Sequence, residues 1–147
     1  MAEERRWRWH HIPDRFDPTQ TYLSRLHLLR NRWFGVYVHH IRLPDRERAL
    51  HDHPWAFVSL ILRGGYVEEL PDGHYRGAFP AADTWHRRLV SRRPGSIHRM
   101  PADGLHRIRT LADAPCWTLI VRGRREREWG FSLGPNHWEP ADQYLDG

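Results

Sequence analysis

Apolar and polar residues along this chain fall into short extended runs, broken at close intervals by glycine and proline. The strongest run, residues 55–62 (Trp-Ala-Phe-Val-Ser-Leu-Ile-Leu), is apolar on both faces, as a strand inside a sandwich or small barrel is. Gly64-Gly65 turns the chain after it. Val36, Tyr37, Val38 and Ile41 predict a strand over 34–43 that Pro44-Asp45 ends. Further strands are predicted over 66–70, 84–90, 96–100, 105–111, 117–122 and 128–133. Turns rich in Pro, Asp and Gly fall at 71–73, 93–95, 102–104 and 112–115. Over 22–30, Tyr22, Ser24, Leu26 and Leu28 alternate with Leu23, Arg25, His27 and Leu29; a strand is the preferred reading, and a short helix also fits. The first twenty residues show no period of either kind and read as an irregular arm that wraps the domain or frays. The pattern predicts an all-β sandwich or barrel, with the arm over 1–20 and one domain over 21–147.

Composition narrows the function classes. At 147 residues the chain fits a single domain, and no apolar run approaches the ~20 residues that cross a bilayer. The opening Met1-Ala2-Glu3-Glu4-Arg5-Arg6 is charged and no hydrophobic segment follows, so a cytoplasmic location without membrane contact is expected. A single cysteine, Cys116, excludes an internal disulfide and a thiolate-rich zinc site, leaving the 12 histidines as the plentiful soft ligands. Net charge is +5 and all 23 basic residues are arginine. They are scattered and often beside acids, as in Asp45-Arg46-Glu47-Arg48, so a solvated surface is expected rather than a nucleic-acid patch.

The candidate chemistry lies in Leu50-His51-Asp52-His53-Pro54-Trp55 and in residues 95–106. Alternate residues of a strand share a face, so His51 and His53 can aim two imidazoles at one point while Asp52 turns away. A third imidazole from a distant strand, best placed at His106, would complete a facial set of nitrogen ligands and leave positions open for substrate, water or dioxygen.

These residues resemble the cupin superfamily, a double-stranded β-helix or jelly roll with a metal in its mouth. His51 and His53 match the histidine pair of its first motif, and Gly64 or Gly65 the closing glycine. The motif's glutamate is missing, with Phe57 or Val58 at its place. In the second motif Gly95, Pro101 and His106 are in register, Asp103 stands for a glycine that has moved to Gly104, and Thr110 stands for the asparagine. The resemblance spans residues 34–122 and extends to small bacterial and phage-encoded cupins. Loss of the glutamate also occurs in a three-histidine branch that includes thiol dioxygenases. The Ser-His-Tyr triad of those enzymes has no match in residues 116–121, so thiol dioxygenation is not implied.

The resemblance implies a divalent metal on His51, His53 and His106, with Fe(II) preferred and Zn, Ni, Mn or Cu able to bind the same nitrogens. Three neutral imidazoles leave the metal's charge uncompensated, which favours a small anionic substrate and, with iron, dioxygen as co-substrate. His98 is the candidate fourth ligand or base, Glu68 a proton shuttle, although a pair such as Glu68-Glu69 is more often solvated, and Tyr37 shares a strand face with His39 that can line the cavity. Arg63, Arg99 and Arg109 on the predicted strands are the candidate clamps for an acid group. A non-redox isomerase, epimerase or lyase is the second reading and a non-catalytic binding module the third. Trp55 and Trp117 are expected in the core, with Cys116 as a small buried hydrophobe. Trp7, Trp9 and Trp138 are expected to cover the barrel or mediate a homodimer.

Overall fold

Glycine and proline punctuation produces a chain of antiparallel strands in the computed structural model, which describes residues 9–72, 87–112, 115–134 and 137–147. Trp7, the beginning of the strand expected from residue 84, Gly73 and residues 113–114 of the last predicted turn lie outside the described residues. The elements are β1 (Trp9–Pro13), β2 (Thr21–Arg30), β3 (Gly35–Ile41), β4 (Leu50–His51), β5 (Phe57–Arg63), β6 (Tyr66–Pro71), β7 (Arg87–Arg92), β8 (Ile97–Met100), β9 (Arg107–Leu111), β10 (Cys116–Arg122), β11 (Gly130–Gly134), β12 (His137–Pro140) and α1 (Ala141–Asp146). A six-stranded sheet in the order β1-β2-β3-β10-β5-β8 forms one wall. Two three-stranded sheets, β12-β11-β4 and β7-β6-β9, form the other. They are joined by a backbone bridge in which His51 N–H donates to His106 O at 2.9 Å and His106 N–H to His51 O at 3.0 Å. The result is the double-sheet jelly roll of a cupin barrel.

Alternation along the strands fills the space between the walls. Leu23, Ile41, Ile61, Tyr66, Ile108 and Cys116 form one apolar cluster, and Tyr37, Phe57, Leu70, Met100 and Ile120 another. Ala49, Phe131 and Ala141 make a third that seats α1 against β11. No helix among the described residues is long and apolar enough to cross a membrane.

Three expectations are corrected. The described part of the arm, from residue 9, is not irregular throughout: β1 pairs with β2 from Trp9↔Leu26 to Pro13↔Thr21, and buried Asp14 ion-pairs with Arg46 at 2.9 Å. An edge strand turning only Ile12 partly inward shows no alternation, which is why its sequence carries no strand signal. The run 55–62 is covered on one face only. Phe57, Ser59 and Ile61 are buried, whereas Val58 and Leu62 are exposed and, with Ile97 and Val121, leave an apolar strip outside the sheet. Trp117 likewise sits on the outward side of β10, half-buried, edge-on to Trp9 with ring centroids 6.0 Å apart.

Gly65 marks the turn into β6. Its φ of +132° suits glycine alone, and a Cβ there would lie 2.5 Å from the carbonyl oxygen of Arg92. Gly95, at φ +87°, has open space around the same position. Gly95→Ala is therefore expected to cost about 1–2 kcal/mol from backbone strain alone, and Gly65→Ala more, because β7 must also move. Chemical denaturation of the two variants checks the order; equal costs would show that the Arg92 contact yields freely.

Candidate metal centre

The two motifs meet where the small sheets join. His51 ends β4, and its backbone bridge to His106 holds the two residues opposite one another across the seam. His53 follows in the loop, its N–H bonded to Ala102 O at 3.1 Å in the second motif's turn. Asp52 points away, as alternation requires. It accepts from Gly130 N–H at 2.7 Å and Trp138 Nε1–H at 3.0 Å and pairs with Arg127, tying the loop to β11 and β12.

The imidazoles of His51, His53 and His106 consequently converge, with one ring nitrogen from each within 4.8 Å of the other two. His53 Nε2 and His106 Nε2 are 3.3 Å apart. Burial is the main cause that holds His51 down at about 4 and His53 well below its usual range, so both rings are neutral at pH 7 and keep a lone pair. Behind the cluster Glu68 is fully buried. It accepts from His106 Nδ1–H at 2.6 Å and from Arg92 Nε–H at 2.7 Å. Burial alone would raise the Glu68 carboxyl; His106 and Arg92 outweigh it and hold the group down at about 2. An ionised carboxylate on Nδ1 places a ring proton there and turns His106 Nε2 toward the other two rings, the arrangement in which a carboxylate orients a metal-binding histidine.

These donors fit a divalent transition metal. Three imidazole nitrogens face one point, and the buried His53 Nδ1 has no hydrogen-bond partner in the protein. Of the two residues at the place of the missing glutamate, Phe57 faces the cluster, its ring edge-on to His53 with centroids 4.8 Å apart, and Val58 is exposed. An apolar ring thus occupies the side where a fourth protein ligand would come.

The cluster opens on a cavity of about 510 Å³ between the walls, lined by Tyr37, His39, Trp55 and Ile108 among others. Of the candidate residues His98, Glu68 and Tyr37, only Tyr37 lines it. Its hydroxyl accepts from Arg122 Nε–H at 2.6 Å. His98 is not part of the converging set. It lies 4.0 Å from Glu68 and 3.5 Å from the Tyr66 hydroxyl, while its Nδ1 is buried without a partner. Glu68 reaches the centre through His106 rather than through the cavity. The expected solvation of Glu68 and Glu69 is also corrected. Alternation along β6 puts Glu68 on the inward face with Tyr66 and Leu70, and Glu69, on the other face, is buried against Arg107 at 2.5 Å.

The expected arginine clamps do not reach the cavity. Arg63, Arg99 and Arg109 are all exposed, because His98, Met100 and Ile108 take the inward positions of their strands and Arg63 comes at the outer end of β5. The guanidinium that does line it is Arg25 of β2, whose Nε–H donates to His39 Nε2 at 2.9 Å. Burial pushes His39 down to about 3, so its ring is a neutral acceptor. The only sequence signal for Arg25 is its shared face with Leu23, and that face is recognisably inward only once β2 is known to pair with β3.

Fold and cluster together define a cupin jelly roll with a three-histidine centre able to coordinate a divalent metal. The comparisons with solved structures agree on the fold. A cupin-2 domain protein of Rhodospirillum rubrum superposes with a TM-score of 0.59 at 13% identity, over 92% of this chain and 80% of its own. The Fe(II) form of HppE gives 0.57 at 12%, over 83% and 59%. A candidate mannose-6-phosphate isomerase of Ralstonia eutropha JMP134 gives 0.53 at 15%, over 69% and 84%. No family model and no curated protein matches the sequence. At these identities the likeness carries the fold.

Proposed function

We propose that the protein is a metal-dependent enzyme, a mononuclear non-haem Fe(II) oxygenase or oxidase that acts on a small anionic molecule. The observation that carries the reading is the convergence of three imidazoles on the wall of a cavity large enough for an organic substrate. His51, His53 and His106 would hold the ion. Iron bound by neutral nitrogens supplies redox chemistry toward dioxygen and an electrostatic preference for an anionic co-ligand. The likeness to the Fe(II) form of HppE supports iron over the other metals that imidazoles accept.

The chain's own residues prepare the site. Glu68 and Arg92 lock the His106 tautomer, and Phe57 closes the fourth side with an apolar face. Tyr37 offers its hydroxyl at the cavity wall, oriented by Arg122. Metal analysis of protein purified without added metal, then anaerobic Fe(II) reconstitution and dioxygen uptake across a panel of small organic acids, tests the assignment. Acid-dependent uptake that vanishes in His53→Ala is the expected result. Uptake that persists in that variant eliminates the assignment, and a tightly held redox-inert metal turns it toward lyase chemistry or toward isomerase chemistry, the latter being the class named for the Ralstonia neighbour.

A further inference from the structure

The inward face of the six-stranded sheet carries a polar row between two apolar ones. Strand register sets Arg25 opposite His39, His39 opposite Thr118, and Ser59 opposite His98, with Ser59 two residues along β5 from Ile61, the partner of Thr118. Leu23, Ile41 and Ile61 flank the row on one side, Tyr37, Ile120 and Phe57 on the other. Arg25, His39, Thr118 and Ser59 line the same cavity as the three converging imidazoles.

Two features of this row are unsatisfied. Ser59 and Thr118 are each 1% exposed; the Thr118 hydroxyl oxygen has no hydrogen-bond partner, and the Ser59 hydroxyl has only that of Tyr66 beside it. Buried hydroxyls without partners cost stability, and a native fold keeps them where something else completes them. Arg25 is the second feature. No carboxylate lies within ion-pair distance of it among the described residues; its Nε is engaged by His39, and its guanidinium carbon lies 5.1 Å from the centre of the Tyr37 ring. Both contacts fix the guanidinium plane and leave its terminal nitrogens without a protein acceptor among the described residues. The carboxylate that does line the cavity, Asp45, is already bonded to the Tyr22 hydroxyl and to Ile108 N–H.

We infer that Arg25, Thr118 and Ser59 form the seat for the carboxylate of the substrate, whose apolar body lies against the flanking rows. One guanidinium edge and two neutral hydroxyls match a single negative charge in a planar group, which is a carboxylate rather than a phosphate dianion. This deepens the reading of the three-histidine site as one for an anionic substrate and replaces the exposed Arg63, Arg99 and Arg109 as its clamp.

The test compares acetate with acetamide, which has the same shape without the charge, by ligand-observed NMR titration at constant ionic strength. The metal-loaded wild type is expected to prefer acetate by about tenfold, the scale of a charge-assisted hydrogen bond. Arg25→Met should abolish the preference, while Thr118→Val and Ser59→Ala each weaken acetate by about 3–10-fold with metal content unchanged. Arg99→Met should behave as wild type. Equal binding of acetate and acetamide by the wild type, or a preference that survives both Arg25→Met and Thr118→Val, overturns the inference; if Arg25→Met fails to fold, Thr118→Val decides. The same titration on His53→Ala separates the two readings. An Arg25-dependent preference that persists there stands even if the metal assignment fails, whereas a preference lost in His53→Ala and kept in Arg25→Met places the anion on the metal and sinks the seat.

Discussion

His53→Ala should cost the protein its metal while leaving the fold standing. Its ring Nδ1 has no partner and its Nε2 faces only His106, so the apo protein loses little by the truncation. The metal loses one of three nitrogens. Removing an outer partner of a ligand typically weakens metal binding by about 10–100-fold, and removal of a ligand itself is expected to exceed that. Competition with a chromophoric chelator measures the affinity, and thermal denaturation of the metal-free protein measures the fold. A variant that binds metal as the wild type does would show that the three rings do not act on one ion. Collapse of the metal-free fold would instead make His53 structural.

Glu68→Ala should do the reverse and unfold the site from behind. Glu68 is fully buried between Arg92 and His106, and its removal leaves a largely buried guanidinium and a ring nitrogen unpaired in the second wall. Breaking a buried ion pair on one side costs about 3–5 kcal/mol, far more than a surface carboxylate would. Glu68→Gln keeps an oxygen for His106 Nδ1 but not the charge, so its stability should fall between the two. Its metal affinity should still drop by about 10–100-fold, since the group that orients His106 is weakened. Denaturant titration and chelator competition on both variants check the prediction. A Glu68→Ala protein as stable as wild type would mean that Arg92 finds another acceptor. Wild-type metal affinity in Glu68→Gln would mean that the His106 ring is held by its backbone bridge alone.

The contrast between these residues shows how far sequence reading reaches. His51 and His53 were legible because alternate positions of an extended chain share a face, which holds although β4 ends at His51 and His53 lies in the loop, and His106 because the spacing of Gly95, Pro101 and Gly104 marks the turn before it. The strands over 34–43, 55–62 and 117–122 were legible from β-branched and aromatic runs, and they became β3, β5 and β10. Two-residue β4, the exposed edge strand β1, and β12 with its six-residue helix were not, because each takes its form from a neighbour and not from its own pattern.

By itself the sequence determined an all-β chain, its histidine pair, the distant third histidine, and the absence of a glutamate beside them. Only the tertiary structure decided which charged residues face inward. Arg63, Arg99 and Arg109 go to solvent while Arg25 enters the cavity, and Glu68, on the face of β6 that carries Tyr66 and Leu70, lies at the back of His106 and not at the expected surface position. The physical reason is that a strand's periodicity is local, whereas its phase relative to the core is set by pairing with strands far away in the chain, and one inserted residue reverses it.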